Sequence, residues 1–197
     1  MQTWEEFEGS SKVPDSLREQ QETELGGEGG IDNQRWSAPR HGYLKINFDG
    51  AWLKEDNRGG LGVVLRDVDG VILGARAINV RNAASAEIME LMAARDGLRL
   101  ALSQGCEKAE LEGNALHVIR LLQGKRKVGV WTEILVKDVA SVSSKFSDCS
   151  LCYSKKSSNG VAMVWLIKYA LSVESVKEWG FDVPPWLGQI NSFDVGF

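Results

Sequence analysis

Side chains that combine useful chemistry with a well-defined position are few in this sequence. Cys149 and Cys152 form a C-x-x-C pair, but no second cysteine pair accompanies them and both histidines lie far away in the chain, so a structural zinc site would lack ligands. Asp49 and Glu90 are better placed, because one ends an alternating apolar segment and the other lies among small residues. The simpler alternatives are an Asp-Gly turn for Asp49 and a solvated helix face for Glu90.

The segment that contains Asp49, YLKINFDGAW over residues 43–52, alternates apolar and polar side chains, which is the period of a half-buried strand. Asp49 lies on the polar side of this alternation. Two further strand-like segments, GLGVVLRD and VILGARAINV, flank the dipeptide Asp69-Gly70, which favours a hairpin turn. The sequence therefore predicts three antiparallel strands at the start of the domain.

The segment that contains Glu90, SAEIMELMAARDGLRLALSQG, predicts a helix of about twenty residues with Ser85 as its amino-terminal cap and Gly105 as its stop. Glu90 shares one helix face with small residues: Ala86, Ala93, Ala94, Gly97 and Ala101. Because small side chains let a helix approach a sheet closely, we expect Glu90 to point toward the sheet.

The remaining segments continue an alternation of strands and helices. KAELEG predicts a fourth strand, NALHVIRLLQG a short helix, WTEILVKDVASVSSKF an amphipathic helix, SLCYSKK a fifth strand and SNGVAMVWLIKYALSVESV a last helix. Residues 39–175 are thus expected to form one α/β domain with a five-stranded sheet flanked by helices. Residues 176–197, with Pro184-Pro185 and scattered aromatic residues, are expected to form an irregular tail packed on the domain.

Charge is distributed unevenly along the chain. Residues 1–35 contain nine acidic and three basic residues, whereas residues 36–197 contain eighteen and twenty. Residues 1–38 are too polar and glycine-rich to bury much apolar surface, so they are expected to form a disordered acidic leader. The mild positive charge of the body permits a polyanionic partner without requiring one.

Composition limits the environment of the protein. Three cysteines and an amino terminus without a signal-peptide pattern indicate an intracellular, reducing compartment. No apolar segment approaches the roughly 20 residues that span a bilayer, so no membrane association is expected. The chain is expected to be a monomer.

Taken together, KINFDGAW, MELMAARDGL, LEGNA and an N-x6-L-x3-A helix, in this order, resemble the ribonuclease H type 1 family. The variant of plant non-LTR retroelements and their domesticated relatives is the most similar, over about residues 36–197, including Trp36 to Pro39. The resemblance implies a ribonuclease H-like fold with a mixed sheet. It also implies hydrolysis of the RNA strand of RNA/DNA hybrids by two Mg²⁺ ions, which four clustered carboxylates hold because they offset the positive charge.

Only two of the four carboxylates that the resemblance implies are present. The first two positions are Asp49 and Glu90, the expected metal ligands. The third is Asn114, which keeps the shape of Asp but not its charge, and the fourth is Met163, a soft thioether without affinity for Mg²⁺. Tyr153 replaces the histidine that assists product release in many members. We therefore expect weakly bound Mg²⁺, or Mn²⁺, and cleavage that is weakened or lost.

Other interpretations of these positions stay open. Asn114 could cap the following helix, since Asn is among the best capping residues, and Met163 could be ordinary apolar packing. Glu112 and Asp56 could supply substitute carboxylates.

Nucleic acid, either an RNA/DNA hybrid or RNA, is the expected partner. Contacts to its backbone would give affinity rather than sequence choice, and a solvated charge run is the alternative at each position. The candidate contact residues are Asn47, Lys54, Arg58, Lys125, Arg126, Lys127, Lys156 and Asn159. Three functions remain: a nucleic-acid-binding module without cleavage, an active hybrid endoribonuclease, and a protein-interaction or decaying retroelement-derived domain.

Overall fold

The computed structural model describes residues 36–124, 129–155, 161–173, 175–180 and 182–195. Its elements, in chain order, are β1 Leu44–Leu53, β2 Arg58–Arg66, β3 Ile72–Arg81, α1 Ala86–Ser103, β4 Lys108–Gly113, α2 Leu116–Leu122, α3 Val130–Ser143, β5 Asp148–Tyr153, α4 Val161–Ser172, β6 Lys177–Trp179 and α5 Pro185–Val195. None of the helices described is long and apolar enough to cross a membrane.

The described strands form one mixed sheet in the order β5-β4-β1-β2-β3-β6. β1, β2 and β3 are antiparallel, whereas β4 runs parallel to β1 and β5 parallel to β4. The predicted α/β fold and antiparallel start are confirmed. The sheet has six strands instead of the predicted five, because Lys177–Trp179 adds a short edge strand to β3. Three residues are too few to show an alternating pattern in the sequence.

Helix α1 packs on one face of the sheet and begins at the predicted cap. The Ser85 side chain accepts a hydrogen bond from the backbone N–H of Ile88, and Gly105 follows the helix with a φ of 76°. A side chain at Gly50 of β1 could not be accommodated, since its Cβ would lie 2.5 Å from the Met89 carbonyl carbon. This close approach sets the first turns of α1 directly against β1.

The opposite face of the sheet is covered by α4 and α5. Trp186 and Leu187 of α5 are buried in a cluster with Leu166 of α4. The expectation of an irregular tail is therefore wrong for residues 177–179 and 185–195. Pro185 is the first residue of α5, a position where its missing N–H and fixed φ favour the helix instead of ending it.

Residues 36–38 belong with the domain and not with the acidic leader to which they were assigned. The Trp36 indole N–H donates a hydrogen bond to Asn47 Oδ1 at 3.3 Å. Lys45 Nζ donates to the backbone carbonyl of Ser37 at 2.7 Å. The rest of the predicted leader, residues 1–35, lies outside the described part of the chain.

Candidate active site and nucleic-acid interface

Asp49 and Glu90 come together just beyond the last residue pair that joins β1 to β4, Phe48 and Gly113. Gly50 is the contact point of β1 and α1, which brings the backbone of Glu90 next to that of Asp49. Both side chains are buried, with relative exposures of 9% for Asp49 and 7% for Glu90. The two carboxyl groups lie close enough to interact, and the Gly50 N–H donates to Asp49 Oδ1 at 2.9 Å. The predicted inward direction of Glu90 is confirmed.

The electrostatics of this pair are unfavourable without a compensating charge. Burial raises the pKa of Glu90 well above its ordinary value, and the negative charge of Asp49 raises it further. Hydrogen bonding from Gly50 acts in the opposite direction. Glu90 Oε2 is buried and has no hydrogen-bond partner among the described residues. Such an oxygen needs either a proton or a cation.

Asn114 follows the last residue of β4 at the level of Asp49. Gly113 of β4 pairs with Phe48 of β1 in the parallel register. Asn114 follows Gly113 and Asp49 follows Phe48, so the two residues lie at the same level of the sheet. Helix α2 is preceded by Ala115 as its cap residue, without a side-chain capping hydrogen bond. The interpretation of Asn114 as a helix cap is therefore wrong, while its place beside Asp49 agrees with the third position of the expected site.

Met163 lies in the first turn of α4, over the face of the sheet to which Asp49 projects. Its exposure is 1%, and its methyl carbon would lie 3.2 Å from a Cβ built on Gly62. Gly62 is the residue of β2 that pairs with Asp49. The apolar packing considered for Met163 is thus confirmed, and the fourth position of the expected site is filled by hydrophobic core.

The residues present fit one hard cation better than two. Asp49 and Glu90 offer carboxylate oxygens, the ligands Mg²⁺ prefers, and Glu90 Oε2 is unpartnered. Within the described ranges, no group of three or more His, Cys, Asp or Glu side chains could hold a metal. An amide at Asn114 and a thioether at Met163 supply no further anion, so the site does not fit the two adjacent ions of two-metal hydrolysis.

Neither proposed substitute carboxylate reaches this site. Glu112 accepts hydrogen bonds from Lys45 Nζ at 2.8 Å and from Asn47 Nδ2 at 2.9 Å. Asp56 is exposed in the β1–β2 turn and lies 3.4 Å from Arg58. Compensation for Asn114 and Met163 by these two residues is therefore excluded in this structure.

Comparison with known proteins identifies the family. A family model described as reverse transcriptase-like matches residues 47–166, from β1 into α4. The chain belongs to the reverse transcriptase-like family. No curated protein sequence matches it.

Solved structures similar to this reverse transcriptase-like chain are ribonucleases H. RNase H1 from Halobacterium salinarum NRC-1 has 22% identity and a TM-score of 0.62, covering 66% of this chain and 97% of its own. The amino-terminal RNase H domain of Rv2228c from Mycobacterium tuberculosis has 19% identity and a TM-score of 0.60, covering 66% and 93%. LC11-RNase H1 from a compost metagenome, solved with an RNA/DNA hybrid, has 18% identity and a TM-score of 0.59, covering 65% and 96%. These similarities establish the RNase H fold.

The prediction that Asn47 of this reverse transcriptase-like domain contacts nucleic acid is wrong. Asn47 is fully buried, and its Oδ1 accepts hydrogen bonds from Trp36 and, at 2.8 Å, from Arg66. Lys54 is exposed and Arg58 is partly exposed, so both can reach a ligand. The other five candidates lie outside the described residues: Lys125, Arg126, Lys127, Lys156 and Asn159.

Sequence reasoning missed a buried polar network on the Asp49 side of the reverse transcriptase-like domain. Lys45 is 2% exposed and lies 2.8 Å from Glu112, and Arg66 is fully buried between Asn47 and Asn191. One signal could have found it: polar residues recur with period two in both β1 and β4, so that Lys45 of β1 can face Glu112 of β4. Local alternation alone indicated a solvated face.

The three cysteines have no part in the site. Cys106, Cys149 and Cys152 are free thiols of intermediate exposure, and burial raises the pKa of each. A raised pKa lowers the fraction of reactive thiolate, so these thiols have the character of ordinary structural cysteines.

Proposed function

We propose that this chain is a nucleic-acid-binding RNase H-like domain in which hydrolysis of RNA/DNA hybrids is weakened or lost. The observation that carries the proposal is the half-complete site. Asp49 and Glu90 lie together as a buried pair, whereas the neighbouring positions hold the amide of Asn114 and the core-packed Met163.

The lost charges bear directly on catalysis. Two Mg²⁺ ions stabilise the attacking and leaving oxygens of a phosphodiester, and they require several anions close together. With two carboxylates, a single ion is the most that the pair can neutralise. Each 1.4 kcal/mol of lost transition-state stabilisation lowers the rate about tenfold, so the absence of the second ion predicts a large loss of rate.

A second candidate function, residual endonucleolytic cleavage of hybrids, is favoured by one observation. Glu90 Oε2 is buried and unpartnered, which suits a ligand of one Mg²⁺ or Mn²⁺ ion. One ion bound there would supply Lewis-acid polarisation of a phosphoryl oxygen. Asp49 and Glu90 would hold it, and the hydrogen bond from Gly50 would orient the Asp49 carboxylate.

The partner and origin form the rest of the proposal. An RNA/DNA hybrid is the first ligand to test, because LC11-RNase H1, a structural neighbour, was solved with one. Lys54 and Arg58 are the described cations proposed to contact the backbone, together with the five candidates outside the described residues. A monomeric state and descent from a plant non-LTR retroelement remain predictions from the sequence.

The decisive experiment measures binding and cleavage separately on one labelled RNA/DNA hybrid. Binding is followed by fluorescence anisotropy in EDTA and in Mg²⁺, and cleavage by gel in Mg²⁺ and in Mn²⁺. The unmodified protein is compared with Asn114→Asp and with Asp49→Asn as the blank. Binding that weakens with salt, without cleavage above the blank, supports the main proposal.

Each other outcome points to a different conclusion. Cleavage by the unmodified protein above the Asp49→Asn blank would establish the second candidate. Cleavage gained by Asn114→Asp alone would support the assignment of the third position. Absence of hybrid binding at low salt would contradict both functions.

A further inference from the structure

Helix α3 begins with an exposed apolar patch formed by Val130, Trp131 and Ile134. Their relative exposures are 71%, 79% and 48%, and Trp131 is the most exposed large apolar side chain in the described part of the chain. Farther along the helix, Val139 and Val142 are buried in the core. The first turn of α3 therefore presents apolar surface to solvent while the rest of the helix packs in the ordinary way.

The patch lies next to a contact between α3 and α1, the helix that carries Glu90. Thr132, the residue after Trp131, donates a hydrogen bond from Oγ1 to Glu87 Oε1 at 3.0 Å. Glu87 and Glu90 are three residues apart in α1, so they are neighbours on the same helix surface. Trp131 is thus adjacent in sequence to a residue that contacts the first turn of α1, the turn that precedes Glu90.

The size of the patch favours a small aromatic ligand over a protein partner. A stable protein interface requires about 800 Å² and roughly 20–30 residues from each partner. This patch has three side chains, and next to them Glu133 and Lys137 form an exposed ion pair at 2.8 Å. An isolated indole next to charged groups suits a flat ring of similar size. For a domain proposed to bind nucleic acid, that ring is a nucleobase.

We propose that Trp131 is a stacking platform for an unpaired base, so that this domain prefers single-stranded nucleic acid, or a strand leaving a duplex, to a blunt duplex. The inference rests on the proposed function and specifies its substrate class. Bases inside a duplex are already stacked on both faces, whereas an unpaired base in a single strand or overhang has a face free to lie on an indole. Val130 and Ile134 border the ring and shield the stacked base from water.

The test compares three labelled ligands of matched length: a single-stranded RNA, a blunt RNA/DNA hybrid, and the same hybrid with a four-nucleotide RNA overhang. Anisotropy titrations are run with the unmodified protein, Trp131→Ala, Trp131→Phe and the control Val71→Ala. Val71 is a comparably exposed apolar residue, at 53%, in the β2–β3 turn.

We expect Trp131→Ala to weaken binding of the single strand and the overhang about tenfold, within the range for loss of one stacked base. Binding of the blunt hybrid should change by less than twofold, and Trp131→Phe should retain most of the affinity. The salt dependence should be unchanged, because no cation is removed.

Two outcomes overturn the platform and leave the proposed function standing: equal effects of Trp131→Ala on all three ligands, or no effect on any. Sedimentation tests the other occupant, since a dimer that Trp131→Ala converts to a monomer would assign the patch to self-association and overturn the platform. If the unmodified protein binds none of the three ligands, the proposed function itself fails and the platform with it. Because Trp131 is exposed, its variants are expected to fold normally.

Discussion

Met163 of α4 packs against Gly62, the residue of β2 that pairs with Asp49. A carboxylate at the fourth site position would therefore have to enter a space that is now hydrophobic core. This relationship distinguishes two kinds of loss at the site. At position 114 the expected charge is absent, but the residue lies at a partly exposed strand end. At position 163 the side chain itself lies in hydrophobic core.

The first prediction is that Met163→Asp destabilises the protein instead of restoring the site. In EDTA the free energy of unfolding should fall by about 3–5 kcal/mol, since a buried charge is left uncompensated. Met163→Leu, the matched control, should cost less than about 1.5 kcal/mol. Urea denaturation measures both, and similar midpoints for the two variants would contradict the burial of this side chain.

The second prediction is that Glu90→Gln stabilises the metal-free protein at neutral pH. The raised pKa of Glu90 means that the folded state holds its proton more tightly than the unfolded state. The stabilising contribution of Glu90 is therefore fully present below the unfolded pKa of about 4.3 and is lost as the pH rises through the folded pKa. Removing the charge should therefore raise the free energy of unfolding at pH 7 and change it little at pH 4.

Urea denaturation in EDTA between pH 4 and pH 8 tests this second prediction. The difference between Glu90→Gln and the unmodified protein should grow with pH and then level off. Glu133→Gln is the control, because that carboxylate is paired with Lys137 in solvent and its pKa is lowered by that lysine. A gain from Glu133→Gln, or a gain from Glu90→Gln that shrinks with pH, would contradict the electrostatic explanation.

The third prediction concerns the buried pair of Lys45 and Glu112. Lys45→Met should cost about 3–5 kcal/mol of unfolding free energy, because it leaves Glu112 buried without its cation. Adding Glu112→Gln should recover part of that loss, giving a coupling energy above about 1 kcal/mol in a double-mutant cycle. Lys137→Met, in an exposed pair, should change stability by less than about 1 kcal/mol. Additive effects of the two buried changes would show that the residues do not interact.

The fourth prediction is that α5 is an integral part of the fold. Trp186 is 4% exposed and contacts the rings of Tyr169 and Trp179, with centroid distances of 5.7 and 6.3 Å. Trp186→Ala should lower the free energy of unfolding by about 3–5 kcal/mol. Gln189→Ala on the exposed side of the same helix should change it by less than about 0.5 kcal/mol. Equal small effects of the two changes would contradict a structural role for α5.

The fold could be predicted from sequence wherever the signal is local. Alternation in β1 and the Ser85 cap of α1 depend on neighbouring residues, and both were identified correctly. Asn47, proposed as a nucleic-acid contact, is instead buried against residues from 11 to 65 positions away. Pro185 was interpreted as a helix breaker, although the same chemistry favours it at a helix start. Both errors concern contacts between residues far apart in the sequence, which produce no local sequence pattern.

The two ends of the described domain meet at Gly70. A Cβ on this residue would lie 3.3 Å from the Trp36 ring and 2.6 Å from Val195 Cγ1, so both residues pack against its backbone. Chain segments that enter and leave a folded unit at one point can be joined or opened with little distortion, as in domains that tolerate circular permutation or insertion. The domain is therefore suited to insertion into a surface loop of another protein. A short linker between residues 195 and 36 could likewise cyclise it.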